Sequence, residues 1–253
     1  MITVTEAQLM AWLMPLLWPF IRALALLASL PVFSQRSVPM RVKVALAMFI
    51  AVAAQASLPP MPETALDSPL AVQLVLQQVL IGIALGFAVR IVFAAVETAG
   101  ELIGLQMGLN FAGFFDPVTA ANGTASGRFF NTIVAFLFII INGHLAIIAV
   151  LVKTFEVFPV GEEPFAFLWR TLPHAWGSEI FALGLWIALP LVGMLLFVNL
   201  MLGVITRVAP QINIFAVGFP VTLGVGLIGM LLTLPLMQTP FTMALERMLS
   251  HFQ

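Results

Sequence analysis

The feature that most constrains this chain is the length of its nearly uncharged runs. Apolar segments fall at about 8–33, 41–58, 69–108, 128–152, 178–206 and 212–248. An α-helix needs roughly 20 apolar residues to cross a bilayer, so hydropathy predicts about six crossings. Only 8% of the residues are Asp, Glu, Lys or Arg and 62% are hydrophobic, whereas a soluble domain carries roughly 25% charged residues. Such a chain cannot clothe a water-exposed surface, which excludes a soluble enzyme domain. The expected fold class is an all-α helical membrane protein, with membrane lipid as one of its partners.

The charges that remain exclude more. Ten basic and eleven acidic side chains leave a net charge of −1, too little field to hold a polyanion, so no nucleic-acid partner is expected. There is no cysteine, hence no disulfide and no thiolate metal site. Ahead of the first run stands Glu6, with no Lys or Arg, and the run is long for a signal-peptide core, so it is expected to be a retained helix. Arg36, Arg41 and Lys43 mark one connector and Arg207 another, while Glu63, Asp67, Glu156, Glu162 and Glu163 gather in the others. The positive-inside rule then places 34–43 and 206–212 in the cytoplasm, with both termini on the far side.

Two details strain a simple six-span picture. As one helix the third run is ~60 Å long at 1.5 Å per residue, against ~30 Å of hydrocarbon. Either it breaks within the span, or much of it lies beyond the bilayer, packed on protein. Pro15, Pro19, Pro190, Pro220 and Pro235 also fall inside apolar runs. Each removes a backbone hydrogen bond, which lipid alone accommodates poorly. Both details point to a chain surrounded mostly by other protein.

Projected at 100° per residue, Gly82, Gly86, Arg90, Ala94, Glu97, Gly100, Glu101, Gly104 and Gly108 share one stripe. Small residues at that spacing permit close helix approach, and Arg90, Glu97 and Glu101 must face protein or water because lipid would cost several kcal/mol each. The stripe is either a tight packing face or one that also borders an aqueous conduit. After it comes Leu109-Asn110-Phe111-Ala112-Gly113-Phe114-Phe115-Asp116-Pro117, then small residues to Gly127. Pro117 ends any helix near Asp116, leaving a loop that presents three large rings. Three placements are open to them: plugging a pore, anchoring on lipid, or packing as plain core. A third patch, 207–220, reads as a hairpin tip with Arg207, Pro210 and Gln211 at a basic turn.

Enzyme chemistry finds no support. His144, His174 and His251 are far apart and form no H-E-x-x-H, Ser126 is out of register with a nucleophile elbow, and neither Lys43 nor Lys153 follows a Gly as a phosphate loop requires. No cofactor or metal is expected. His144, beside Asn142 and Gly143, reads as a packed polar contact rather than a proton relay. A small-molecule or ion transporter is the main rival, with Arg90, Glu97 and Glu101 as intramembrane charges and proline-broken helices as a site. The two halves show no inverted repeat.

Residues 100–117 (GELIGLQMGLNFAGFFDP) and 199–224 (NLMLGVITRVAPQINIFAVGFPVTLG) closely resemble the two signature stretches of the R-subunit family of the flagellar type III export gate, the FliR family. The opening 18–47 and the Ile141-Asn142-Gly143-His144 stretch are similar to that family too, so the resemblance covers nearly the whole chain. The family has counterparts in virulence type III secretion injectisomes. The resemblance implies a P-like part over 1–177 fused to a Q-like helical hairpin over 178–253, with its tip near 207–211 facing the cytoplasm. It implies assembly with P and Q subunits, beside the large cytoplasmic-domain gate subunits, into a pore in the bacterial inner membrane at the flagellar basal body. The assembled complex would extend to the periplasmic side and pass unfolded flagellar subunits. Carried onto matching positions, 109–117 is the plug, with Phe111, Phe114 and Phe115 as sealing groups.

Overall fold

A computed structural model describes residues 6–35, 37–62, 64, 68–109, 124–161, 165–211 and 213–253. Helices account for most of them, and there is no strand among the described residues. In chain order they are α1 (Glu6–Ser29), α2 (Met40–Ala54), α3 (Pro69–Gln106), α4 (Ala125–Ile140) and α5 (Gly143–Val157). Then follow α6 (Ala166–Thr171), α7 (Gly177–Val208), α8 (Ile214–Thr233) and α9 (Gln238–Leu249).

All six apolar runs fold as helix, but they do not make six simple crossings. The third is one unbroken helix of 38 residues, ~57 Å long, so the alternative of a break within it falls away. It begins on Pro69, a residue whose fixed φ suits a first helical position and whose missing N–H costs nothing there. The fourth run, expected as one helix, is two. Asn142 adopts a left-handed conformation (φ 56°, ψ 31°) between α4 and α5, one that asparagine tolerates better than most side chains. Four helical stretches are long and apolar enough to cross a membrane: Met40–Ser57, Pro69–Gln106, Ala166–Val208 and Ala216–Phe252. The α4–α5 pair is long and apolar enough only when its two helices are counted together, and the apolar part of α1, Leu13–Ser29, is shorter. Pro15 and Pro19 lie inside α1, Pro190 inside α7 and Pro220 inside α8. Pro235 falls in a 3-10 turn, Leu234–Met237.

The chain forms two compact units. The first comprises Met1–Arg90, Asn142–Trp176 and Glu246–Gln253. In it α1 packs on α2, and Met14, Trp18 and Leu74 form a buried cluster flanked by Leu17, Ile21, Met61 and Val160. Trp176 gathers the far end of this unit. Its ring stacks on Phe87 (6.3 Å) and meets Phe252 edge-on at 5.6 Å and His251 at 5.4 Å, which seats the 3-10 turn Ser250–Phe252.

The second unit comprises Ile91–Ile141 and Gly177–Leu245. Phe93 lies edge-on to Phe138 at 5.6 Å and to Phe241 at 6.1 Å, geometry that aligns ring edge with ring face. Helix α7 buries Gly184, Ala188, Leu191 and Leu195, a stripe at helical spacing. Yet its remaining surface is apolar as well: Phe181, Trp186, Phe197 and Leu200 are all exposed. A helix apolar all round belongs in lipid or against other protein.

Candidate functional site

Three glycines of the stripe on α3, Gly82, Gly86 and Gly100, stand where a neighbouring element leaves no room for a Cβ. In the first unit, a Cβ on Gly82 would run into the Arg22 carbonyl and one on Gly86 into the Ser29 hydroxyl, so α1 and α3 approach backbone to backbone. In the second unit, a Cβ on Gly100 would stand 2.6 Å from the Phe130 ring. Gly104 is buried, while Gly108 has φ 79°, a conformation that glycine reaches without strain. Ala94 is half-buried and Arg90 is exposed.

The two acids of the stripe look onto α4. Asn131 Nδ2 donates to Glu97 Oε2 at 3.4 Å. Glu101 lies against the first turn of α4, its Cγ 3.0 Å from where a Cβ on Gly127 would be. That turn is capped by Thr124, whose hydroxyl accepts from the Gly127 N–H at 3.0 Å. The partial positive charge at a helix N-terminus favours an acid there, which gives Glu101 a physical reason to sit at that spot.

Leu109 is half-buried just beyond α3. Asn110, Phe111, Ala112, Gly113, Phe114, Phe115, Asp116 and Pro117 lie outside the described residues. At the hairpin, α7 ends at Val208 and α8 begins at Ile214. Asn213 opens α8, its side-chain oxygen accepting from Ala216 N–H at 3.4 Å. Arg207, Pro210 and Gln211 are exposed at this turn. His144 Nδ1 is buried with no hydrogen-bond partner. No group of three or more His, Asp or Glu among the described residues is arranged to hold a metal.

The most elaborate polar site in the first unit is one that sequence reasoning passed over. Arg22 is fully buried. Its Nε donates to Gln78 Oε1 (2.7 Å), one terminal nitrogen to Thr154 Oγ1 (2.9 Å) and the other to the Phe158 carbonyl (3.0 Å). The guanidinium carbon sits 3.6 Å over the Phe155 ring, a cation–π arrangement strengthened by the exclusion of water. Gln78 in turn donates to Gln77, which donates to the Pro159 carbonyl. One side chain thus ties α1, α3 and α5 together. The signal was available: a lone arginine in an apolar run must find partners, and adjacent glutamines at 77 and 78 interrupt the apolar start of α3.

Helices of this length and apolarity, with proline inside three of them and a buried arginine satisfied within the chain, define an all-α membrane protein. Its sequence matches a family model, described as bacterial export proteins, family 1, over residues 13–248. The flagellar biosynthetic protein FliR of Escherichia coli (strain K12) is 48% identical over 244 residues, covering 95% of this chain and 92% of that protein. FliR of Pectobacterium carotovorum is 43% identical over 239 residues (93% and 90%), and FliR of Bacillus subtilis is 28% identical over 216 residues (83% and 82%). The chain belongs to this family of bacterial export proteins.

Proposed function

We propose that this chain is the R subunit of a flagellar type III protein export gate in the bacterial inner membrane. The observation that carries the reading is likeness along nearly the entire chain to proteins named for flagellar biosynthesis, and it favours the flagellar branch over the injectisome one. In this reading the chain acts with P and Q subunits and the large cytoplasmic-domain gate subunits, and the assembled complex extends to the periplasmic side. Unfolded flagellar subunits cross through the pore that this assembly encloses.

Residues 109–117 serve as the plug. Phe111, Phe114 and Phe115 exclude water and ions at a constriction, a hydrophobic gate. Gly108, with its positive φ, supplies the turn from which the plug departs. In this reading the P-like part covers 1–177 and the Q-like hairpin 178–253, a division by resemblance along the chain that the two compact units do not follow, since each unit draws residues from both parts. The tip near 207–211 faces the cytoplasm, and its exposed Arg207, Pro210 and Gln211 are available to a partner. The experiment is deletion of 110–116 in the chain co-expressed with its partner subunits. An assembled complex that leaks ions and slows growth supports the plug. An assembled complex that stays tight removes the seal from this loop.

A further inference from the structure

The plug of the preceding section departs from the last turn of α3, and what holds that turn comes from two other helices. A helix ends with carbonyls that have no partner in the helix itself. Here Asn199 Nδ2, from α7, lies 3.4 Å from the Gln106 carbonyl. Thr222 Oγ1, from α8, lies 3.5 Å from the Met107 carbonyl and shares its hydroxyl with Gly218 and Phe219 carbonyls at 3.1 Å each. These polar contacts are long, and shape does more. Met107 is completely buried, and Gly226, one turn beyond Thr222, is its seat. A Cβ on Gly226 would stand 2.5 Å from Met107 Cγ, 2.6 Å from Sδ and 2.7 Å from Cε. Gly224, two residues away on a different side of α8, has open space where a Cβ would go. So only one of these two glycines is needed for the contact.

The two helices that grip α3 are themselves interlocked, since Gly229 packs directly on Leu191 and Met194. Asn199 stands eight residues before Arg207, and Thr222 eight residues after Ile214, each ~12 Å along its helix from the turn that joins them. Asn199 and Thr222 thus meet the Gln106 and Met107 carbonyls from matching depths on the two arms of the hairpin. We infer that the α7–α8 hairpin is a latch on the end of α3, with Asn199, Thr222 and Gly226 as positioning residues for whatever follows Gly108. The inference rests on the plug reading for its functional consequence, but not for the contact itself.

The test uses the full chain assembled with its partner subunits and reads ion leak per assembled complex. Gly226→Ala pushes on Met107 and raises leak several-fold; adding Met107→Ala restores room and returns leak to the wild-type level. Thr222→Val raises leak while Thr222→Ser does not. A merely structural contact lowers the amount of complex instead and leaves leak per complex unchanged, which overturns the latch, as does a double variant as leaky as Gly226→Ala alone. The cysteine-free chain allows a second readout, the pair Met107→Cys and Gly226→Cys. Under oxidation the pair is expected to crosslink and stop export until reductant is added. Failure to crosslink overturns the contact, and undiminished export by the crosslinked chain overturns the latch. If deletion of 110–116 leaves the complex tight, the plug reading alone falls and the crosslinked pair still decides the latch.

Discussion

Arg22 Nε donates to Gln78 Oε1 at 2.7 Å with both side chains shut off from solvent, joining the middle of α1 to the early part of α3. Partners left behind by a missing arginine would be buried acceptors without donors, each costing ~1–3 kcal/mol. Arg22→Ala is therefore expected to lower the melting temperature of the detergent-solubilised protein sharply. Arg22→Lys, a point charge unable to reach three acceptors in fork geometry, should fall between. Tryptophan fluorescence on heating reads both.

Gly100 and Phe130 form a size-matched pair, since a Cβ at 100 would stand 2.6 Å from the ring. Gly100→Ala should cost ~1–3 kcal/mol as an overpacked contact. Combined with Phe130→Leu, which frees space at the same place, the loss should shrink below the sum of the two single changes. A double-mutant cycle of melting curves measures the coupling.

Phe252 is fully buried against Trp176. Phe252→Ala is expected to cost ~3–5 kcal/mol and to expose the final turn to carboxypeptidase. Digestion rates of variant and parent, followed by mass, check this.

Asn142 holds the left-handed position between α4 and α5. Asn142→Gly should be near neutral, because glycine meets no Cβ penalty there. Asn142→Val should cost ~1–3 kcal/mol, seen as a lower melting temperature.

At the hairpin tip the outcomes should separate. Arg207 and Gln211 are exposed, so Arg207→Ala and Gln211→Ala should shift stability by no more than ~0.5 kcal/mol. If the tip meets a cytoplasmic partner as proposed, export of flagellar subunits falls while melting is unchanged.

The class of fold was legible because apolar length and charge spacing are one-dimensional properties. Of the stripe on α3, Gly82 and Gly86 lie against α1 and Gly100 against Phe130, contacts that the periodic spacing of small residues in one unbroken helix suggests. Only part of the site could be read this way. Asn199 and Thr222 meet the end of α3 from 93 and 115 residues away, and no local pattern marks such a meeting. The Arg22 cluster was missed for a related reason, since Thr154 and the Phe158 carbonyl reach it from over 130 residues along the chain. The break at Asn142 did leave a mark, since Asn142-Gly143-His144 interrupts the fourth apolar run, but so short a dip does not separate a break from a polar spot within one helix, and a single backbone conformation decides it.

The apolar exposure of α7 bears on how this chain comes to exist at all. Of the most apolar window in Ala166–Val208, only 22% is buried by the chain's own residues, against 67% in α3. What covers the remainder, lipid or neighbouring subunit, binds the folded form and not the unfolded one, so it contributes to folding by mass action. The stability of this chain is thus a property of its company and of the concentration of that company. Synthesised without whatever covers α7, it is expected to be degraded faster, which its half-life in a pulse-chase reads.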